Sequence, residues 1–180
     1  MSVEVNGIAH IQLSVRNTAQ CIPFWEALCH FLEMKTLLRN ESTVYCIGSR
    51  TGVLVRGLPP DQEPPAFAQD SPGLHHFCFR ARSRDDVDTL YACVRDERGA
   101  HVVHGPEDGD QFAPGYYSIL FEDPDGIRVE VNFVPGQGHF GERGRLGPGG
   151  RGPASEYGSG GLTDGDEARA AAGSRTATRD

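Results

Sequence analysis

Several absences narrow the class of this protein before any motif is considered. No apolar run in the 180 residues approaches the roughly 20 residues of a membrane-spanning helix. The first residues, MSVEVNG, have neither the basic start nor the apolar segment of a signal peptide. The five cysteines form no CxxC pair, so we expect no disulfide framework and no thiolate zinc site. The sequence predicts a cytoplasmic protein, without a membrane partner, whose cysteines are reduced and mostly buried.

Positive charge is also scarce. The chain has 17 lysines and arginines against 25 aspartates and glutamates, which gives a formal net charge of −8. No basic stripe or alternation of basic and aromatic residues is present, and these are the usual signs of a nucleic-acid partner. We therefore expect a small-molecule partner and no nucleic acid.

Large apolar residues are nearly missing from residues 135–180, which hold more than half of the 23 glycines. Such a segment buries too little apolar surface to offset the entropy of ordering it. Basic and acidic residues balance there, so residues 1–134 carry the net negative charge. The sequence predicts one folded domain over 1–134 and a disordered glycine-rich tail over 135–180.

The folded part contains a repeat. Residues 7–16, GIAHIQLSVR, match residues 73–82, GLHHFCFRAR, and both alternate apolar and polar residues as a strand does. A helical pattern and three short strand patterns follow each copy. The proline-rich residues 58–72 separate the copies as a stiff linker. The sequence therefore predicts an α+β protein of two βαβββ modules, over about 5–57 and 73–134.

The helices and strands can be bounded from local patterns. The first helix is expected from a cap at Asn17 or Thr18 to Met34, and a later start is the alternative because Pro23 fits only near a first turn. The second is expected from a cap at Ser83 to about Glu97. The remaining strands are predicted near 35–38, 43–47, 53–56, 101–104, 116–121 and 127–133.

Three side chains of metal-binding types fall on the polar faces of these strands. His10 and His76 occupy equivalent positions of the repeat, and Glu130 lies on the last strand. Two histidines and one carboxylate suit a divalent ion such as Fe(II) or Mn(II) and leave coordination positions open for a substrate. An ion pair of Glu130 with Arg80 or Arg128 is the main alternative, and it predicts no metal.

These residues, with the turn Asp-Pro-Asp-Gly at 123–126 ahead of Glu130, resemble the vicinal oxygen chelate superfamily of glyoxalases, bleomycin-resistance proteins and extradiol dioxygenases. The resemblance covers about residues 5–134. It implies paired βαβββ modules that form a curved, half-open barrel of mixed sheets around a metal cleft. It carries the metal positions over to His10, His76 and Glu130, and it implies a substrate that chelates the ion through two neighbouring oxygens. One divalent ion is implied, Fe(II) or Mn(II) before Zn, Ni or Co.

Many members have a fourth ligand, a carboxylate that closes the first module. Alignment of the two hairpins puts Arg56 at this position, with Leu54 beside it, so the chain differs from glyoxalase I. Dioxygenase-like chemistry is slightly favoured over the thiol transfer of fosfomycin-resistance proteins, because residues 114–121 resemble the dioxygenases more. A metal-free binding protein of the bleomycin-resistance type is the alternative. The resemblance also implies a homodimer, with the site completed within one chain or across two.

Further side chains are candidates for the same cleft. His104 and Tyr117 are assigned catalytic roles, His104 in proton transfer, although only one of the adjacent Tyr116 and Tyr117 can reach the cleft. Residues on the ligands' faces, or at the missing ligand's position, are assigned to substrate binding: Gln12, Arg56, Arg80 and Asn132.

Overall fold

The computed structural model describes residues 5, 7–48, 51–59, 61–62, 66–97 and 100–135. The predicted tail lies outside these residues from 136 onward, and so do parts of the linker. A compact unit spans Met1–Pro135. The first module contains β1 (His10–Val15), α1 (Thr18–Phe31), β2 (Lys35–Arg39), β3 (Thr43–Gly48) and β4 (Thr51–Gly57). The second contains β5 (Phe77–Arg80), α2 (Arg84–Ala92), β6 (His101–Asp108), β7 (Tyr117–Glu122) and β8 (Arg128–Phe133).

Each module forms one four-stranded mixed sheet with the same topology. The strand orders are β1-β4-β3-β2 and β5-β8-β7-β6. The first strand of each sheet pairs parallel with the last, and the other neighbours pair antiparallel. The predicted α+β fold of two βαβββ modules is confirmed.

Alternation in the strands separates a core face from a polar face. In β1, Leu13 and Val15 are buried, whereas His10, Gln12 and Ser14 are exposed. In β8, Val129 and Val131 are buried between half-buried polar residues. The apolar faces contribute to a core that also contains Trp25, Leu28, Val87 and Leu90 from the helices.

The first helix begins at its predicted cap, and the later start that Pro23 suggested is not observed. Asn17 caps it, because its Oδ1 accepts a hydrogen bond from the Gln20 N–H at 3.2 Å. Pro23 therefore lies inside the helix, in its second turn. Pro23 has no N–H to donate to the carbonyl of Ala19, but it is on the exposed side, where water can donate instead.

The second helix also differs from its prediction. It is α-helical only over Arg84–Ala92 and continues as a π-helical turn over Cys93–Glu97. The cap prediction is confirmed, because the Ser83 hydroxyl accepts a hydrogen bond from the Asp86 N–H at 3.1 Å.

A hydrogen-bonded contact joins the modules. Trp25 of α1 donates from Nε1 to Asp123 Oδ2 at 2.8 Å, and its ring stacks on Phe77 with centroids 5.9 Å apart. Asp125 accepts hydrogen bonds from the backbone N–H groups of Arg16 and Asn17. The turn before β8 therefore holds the end of β1 and the start of α1, which limits how the two polar sheet faces can lie relative to each other.

Candidate metal centre

Glu130 lies in the middle of the second sheet. It is on β8, between Cys78 of β5 and Leu120 of β7 in the register of the strands. Its side chain is only 14% exposed. A carboxylate at such a position needs partners for both oxygens, since burying an unpaired charge costs several kcal/mol.

The first partner is His76, the residue before β5. His76 Nε2 lies 3.1 Å from Glu130 Oε2. Of the two adjacent histidines, the structure places His76 and not His75 against Glu130, while the Nδ1 atoms of the two histidines lie 2.7 Å apart. The parallel pairing of β5 with β8 brings His76 next to Glu130.

The second partner is Tyr116, just ahead of β7. Its hydroxyl donates to Glu130 Oε1, and Asn132 Nδ2 donates to the same hydroxyl at 2.9 Å. Burial raises the pKa of the Tyr116 hydroxyl, and the charge of Glu130 adds to this, so the phenol stays protonated.

Tyr117, to which the sequence analysis gave the catalytic role, lies elsewhere. Its hydroxyl donates to Asp88 of α2 at 2.7 Å, and the Arg84 guanidinium stacks over its ring at 3.6 Å. Side chains on a strand alternate between faces, and Tyr117 shares the face of the buried Ile119. Tyr116, and not Tyr117, is therefore the tyrosine next to Glu130, and the parity of β7 is the sequence signal that would have indicated this.

Cys78 is a neighbour of Glu130 that the sequence analysis missed as part of the site. The other four cysteines are buried as predicted, but Cys78 is exposed. Desolvation and the nearby charge of Glu130 nevertheless raise the pKa of its thiol. The thiol is therefore neutral beside the carboxylate.

In the first module, His10 lies on the polar face of the sheet, which corresponds to the face that carries Glu130 in the second module. His10 is exposed, and its ring contacts Tyr45 edge-on with centroids 6.5 Å apart. Gln12 lies on the same face and pairs with Leu54 of β4. Since Gln12 corresponds to Cys78 in the repeat, Leu54 and not Arg56 occupies the position of Glu130. Arg56 instead corresponds to Asn132, which corrects the hairpin alignment, and neither Leu54 nor Arg56 can supply the missing fourth carboxylate.

The geometry of His76 and Glu130 fits two ligands of one ion. Ligands that each bind at about 2.1 Å, at right angles to each other, lie about 3.0 Å apart. The observed separation of 3.1 Å between Nε2 and Oε2 matches this value. In the described part of the chain, however, no three His, Cys, Asp or Glu side chains are grouped so that they could share an ion. The structure thus brings His76 and Glu130 together and does not bring His10 to them.

The other predicted residues surround this pair at varying distances. Arg128 pairs with Glu122 at 3.0 Å, so it is not the partner of Glu130. His104 of β6 pairs with Leu120 of β7 in the register. It therefore lies two strands, or about 10 Å, from Glu130. Its Nδ1 lies 3.0 Å from the Gly105 carbonyl oxygen. Arg80 pairs with Asn132 in the register and contributes positive charge near Cys78.

The fold is thus an α+β fold of two βαβββ modules. A histidine–carboxylate pair on the polar face of the second sheet is its candidate metal site. A family model described as the Glyoxalase/Bleomycin resistance protein/Dioxygenase superfamily matches residues 7–131. The chain belongs to this superfamily.

Solved structures agree with the fold. A putative glyoxalase from Bacillus halodurans is 27% identical, with a TM-score of 0.62 over 72% of this chain and 96% of the other. A glyoxylase/bleomycin resistance protein/dioxygenase domain from Frankia sp. is 22% identical, with a TM-score of 0.58 over 76% and 96%. A lactoylglutathione lyase from Agrobacterium tumefaciens is 21% identical, with a TM-score of 0.51 over 72% and 94%. The comparison with curated proteins finds no match.

None of the helices in the described residues combines the length and the apolar character needed to cross a bilayer.

Proposed function

We propose that the protein is a metal-dependent enzyme of this superfamily that acts on a small substrate bound through two neighbouring oxygens. The observation that carries the proposal is the 3.1 Å separation of His76 Nε2 and Glu130 Oε2. A bound divalent ion, Fe(II) or Mn(II) before Zn, Ni or Co, would act as a Lewis acid and stabilise negative charge that develops on the substrate.

We further propose that His10 of a second copy completes the ligand set, in a homodimer. Two observations support this. His10 is not grouped with His76 and Glu130 of its own chain among the described residues. The sheet face that carries His10 also leaves Leu38 49% exposed and Ile47 38% exposed, and apolar surface of this kind is commonly covered by another protein surface.

The side chains around the ligands would bind and orient the substrate. Gln12 is exposed beside His10, and Arg80 contributes positive charge on the face of Glu130, where an anionic substrate oxygen would be attracted. Arg56, exposed on β4, would add a second cation from the first module. His104 is half-buried and would hold a proton at the edge of the site.

Within the superfamily, dioxygenase-like chemistry is the proposed reaction, with thiol transfer as the next candidate. The absence of a fourth carboxylate at the position of Leu54 argues against a glyoxalase I reaction. The resemblance of residues 114–121 to the dioxygenases favours the first reaction. We place the protein in the cytoplasm, where the five free cysteines stay reduced.

A metal-free binding protein of the bleomycin-resistance type is the second candidate. One observation favours it: His76 and Tyr116 already engage both oxygens of Glu130 without an ion. In that case the site would be a closed polar network, and the acidic domain would sequester a cationic or apolar compound.

Metal analysis of the purified full-length protein distinguishes these candidates. The enzyme proposal predicts a co-purifying divalent ion and its loss in His10→Ala and in Glu130→Gln. A protein without metal, or one in which His10→Ala retains its metal content, would contradict the proposal and favour the binding protein.

Mixing of the two variants tests whether the site lies across a dimer. Each variant alone lacks one ligand in every site, but a mixed dimer of His10→Ala and Glu130→Gln chains regains one intact site. Random co-assembly restores about a quarter of the sites if the ligands come from two chains, and none if they come from one.

Oxygen consumption with catechol and Fe(II) then tests the reaction, and the absence of oxygen consumption would favour thiol transfer.

A further inference from the structure

The polar group behind Glu130 extends beyond the predicted ligands, through a residue for which neither the family resemblance nor the ligand pattern gives a role. We infer that Tyr116 is a positioning residue, which holds Oε1 of Glu130 so that only Oε2 faces His76 and the ion. This inference rests on the proposed function, because it concerns how Glu130 is presented to a metal. It deepens that function by explaining how one carboxylate is restricted to one coordination position.

The direction of the hydrogen bonds is fixed by the chemistry of the groups. Asn132 Nδ2 donates to the Tyr116 hydroxyl at 2.9 Å, which occupies a lone pair of the phenol oxygen. The phenol proton is then left for Glu130 Oε1, the carboxylate oxygen that the hydroxyl contacts. A charge-assisted bond of this kind is stronger than one between neutral groups. Asn132 therefore acts through Tyr116, and its amide is occupied with the phenol.

The ring of Tyr116 is held by the loop that precedes β7. The Gly109 N–H donates to the Tyr116 carbonyl at 2.9 Å, and a Cβ at Gly109 would lie 2.8 Å from Tyr116 Cδ1. The ring of Phe112 also packs against the Tyr116 ring, with centroids 5.3 Å apart. Gly115, at φ +72°, makes the turn into the tyrosine in the left-handed region that favours glycine. The loop thus fixes where the hydroxyl points.

The consequence for the site concerns coordination number. A carboxylate with both oxygens free can bind an ion through one or both of them. With Oε1 bonded to Tyr116, Glu130 has only Oε2 to offer, and Oε2 is the oxygen 3.1 Å from His76 Nε2. A second coordination position that Glu130 would otherwise fill stays open for a substrate oxygen. Groups that orient ligands in this way commonly change metal affinity about 10- to 100-fold.

Tyr117 provides a matched control within the same strand region. It is also a tyrosine whose hydroxyl donates to a carboxylate, Asp88 Oδ1, at 2.7 Å. It faces α2 and not Glu130. Tyr117→Phe therefore removes an equivalent hydrogen bond without touching the carboxylate of the site.

The experiment uses the full chain, as wild type and as Tyr116→Phe, Tyr117→Phe and Asn132→Ala. Mn²⁺ affinity is measured from the electron paramagnetic resonance signal of the free ion, and the coordination number from the visible spectrum of the Co²⁺-loaded protein. We expect Tyr116→Phe to weaken Mn²⁺ binding about 10- to 100-fold and to weaken the Co²⁺ bands as Glu130 binds through both oxygens. Asn132→Ala should show a smaller change in the same direction, and Tyr117→Phe none.

Two failures can be told apart. If wild type binds neither ion, the proposed function and this inference are both wrong. If wild type binds Mn²⁺ but Tyr116→Phe binds it within about twofold of wild type, with the same Co²⁺ spectrum, only the inference is wrong. Equal weakening by Tyr116→Phe and Tyr117→Phe, with unchanged Co²⁺ spectra, would also overturn it, because it would indicate a general loss of stability.

Discussion

The two modules have the same backbone plan but different chemistry on their polar faces. One row of facing residues runs across the four strands of each sheet. In the first module the row is Gln12, Leu54, Tyr45 and Leu38; in the second it is Cys78, Glu130, Leu120 and His104. At one position of this row, a leucine in one sheet corresponds to a carboxylate in the other. The repeated fold therefore gives both sheets the same position, and the side chain at that position decides whether a carboxylate is present.

A neighbouring row shows the same contrast. In the second module, Glu122 lies between Arg128 and His101 and contacts both, at 3.0 Å and 2.9 Å. The corresponding residue of the first module is Ile47, paired with Gly52 and 38% exposed. The second module therefore satisfies its polar face internally, whereas the first leaves an apolar face with an exposed histidine.

The largest expected effect comes from the contact that joins the two modules. Asp123→Ala removes the acceptor of Trp25 Nε1 and of two backbone N–H groups, those of Asp125 and Ile127. Buried donors would then lack partners, and the free energy of unfolding should fall by about 3–5 kcal/mol in urea titrations. The exposed Asp61→Ala should change it by less than about 0.5 kcal/mol. A loss for Asp123→Ala as small as that of Asp61→Ala would show that the modules do not depend on this contact.

The second prediction makes the sheets alike at the position where they differ most. Glu130→Leu gives the second module the residue that the first has at Leu54. Because it removes a proposed ligand, Mn²⁺ affinity measured by equilibrium dialysis should fall at least about 100-fold. Glu107→Gln, an exposed carboxylate in the same sheet, is the control and should retain wild-type affinity. Unchanged binding by Glu130→Leu would contradict the proposed metal centre.

The reverse exchange should have a smaller effect on stability. Leu54→Glu places a carboxylate at a half-buried position that has no equivalents of Tyr116 and Asn132, since the hydroxyl of the neighbouring Tyr45 lies against Gly52. Lost apolar burial and partial desolvation of the charge should lower the free energy of unfolding by about 1–2 kcal/mol. Leu38→Glu is a matched control in the same row, already 49% exposed, and should lose less than about 0.5 kcal/mol. Equal losses in the two variants would mean that the row is uniformly solvated.

The smallest effect concerns pH and the ionic row of the second module. Partial burial raises the pKa of Glu122, but Arg128 and His101 lower it more, so the net pKa lies below the ordinary 4.5. The carboxylate therefore contributes stability above about pH 4.5, and this contribution is lost as pH falls through the folded pKa. Glu122→Gln should lower the free energy of unfolding at pH 6 by up to about 1 kcal/mol. The difference should shrink as pH falls below about 4.5, and a constant difference down to acid pH would contradict the ionic origin.

Local sequence patterns were sufficient to predict the helices and strands, but not the effect of single irregular residues within them. Alternation and helical periodicity gave the two βαβββ modules because they depend on side chains a few residues apart. The predicted cap of α1 at Asn17 is confirmed, and the later start that Pro23 suggested does not occur, because Pro23 lies on the exposed side of the helix and the acceptors at the helix start come from Asn17 and the distant Asp125.

The site was predictable to the level of a strand face. The sequence singled out His76 and Glu130, and the parallel pairing of β5 with β8 brings them to 3.1 Å. The parity of β7 already contained the choice of Tyr116 over Tyr117, since Ile119 and Phe121 mark the buried side. That Leu54, and not Arg56, is the equivalent of Glu130 could not be predicted in this way. Both residues lie on the same face, and only the pairing with β1 distinguishes them.

The sequence by itself determined the repeat, the fold class and the residue types on each strand face, because these follow from short-range periodicity and from composition. Tertiary structure alone decided which of those residues meet: Tyr116 and His76 at Glu130, Trp25 at Asp123, and His10 apart from the pair in its own chain. The physical reason is that strand register and the packing of α1 on the second module join residues from 14 to 98 positions apart. No local pattern encodes such long-range contacts.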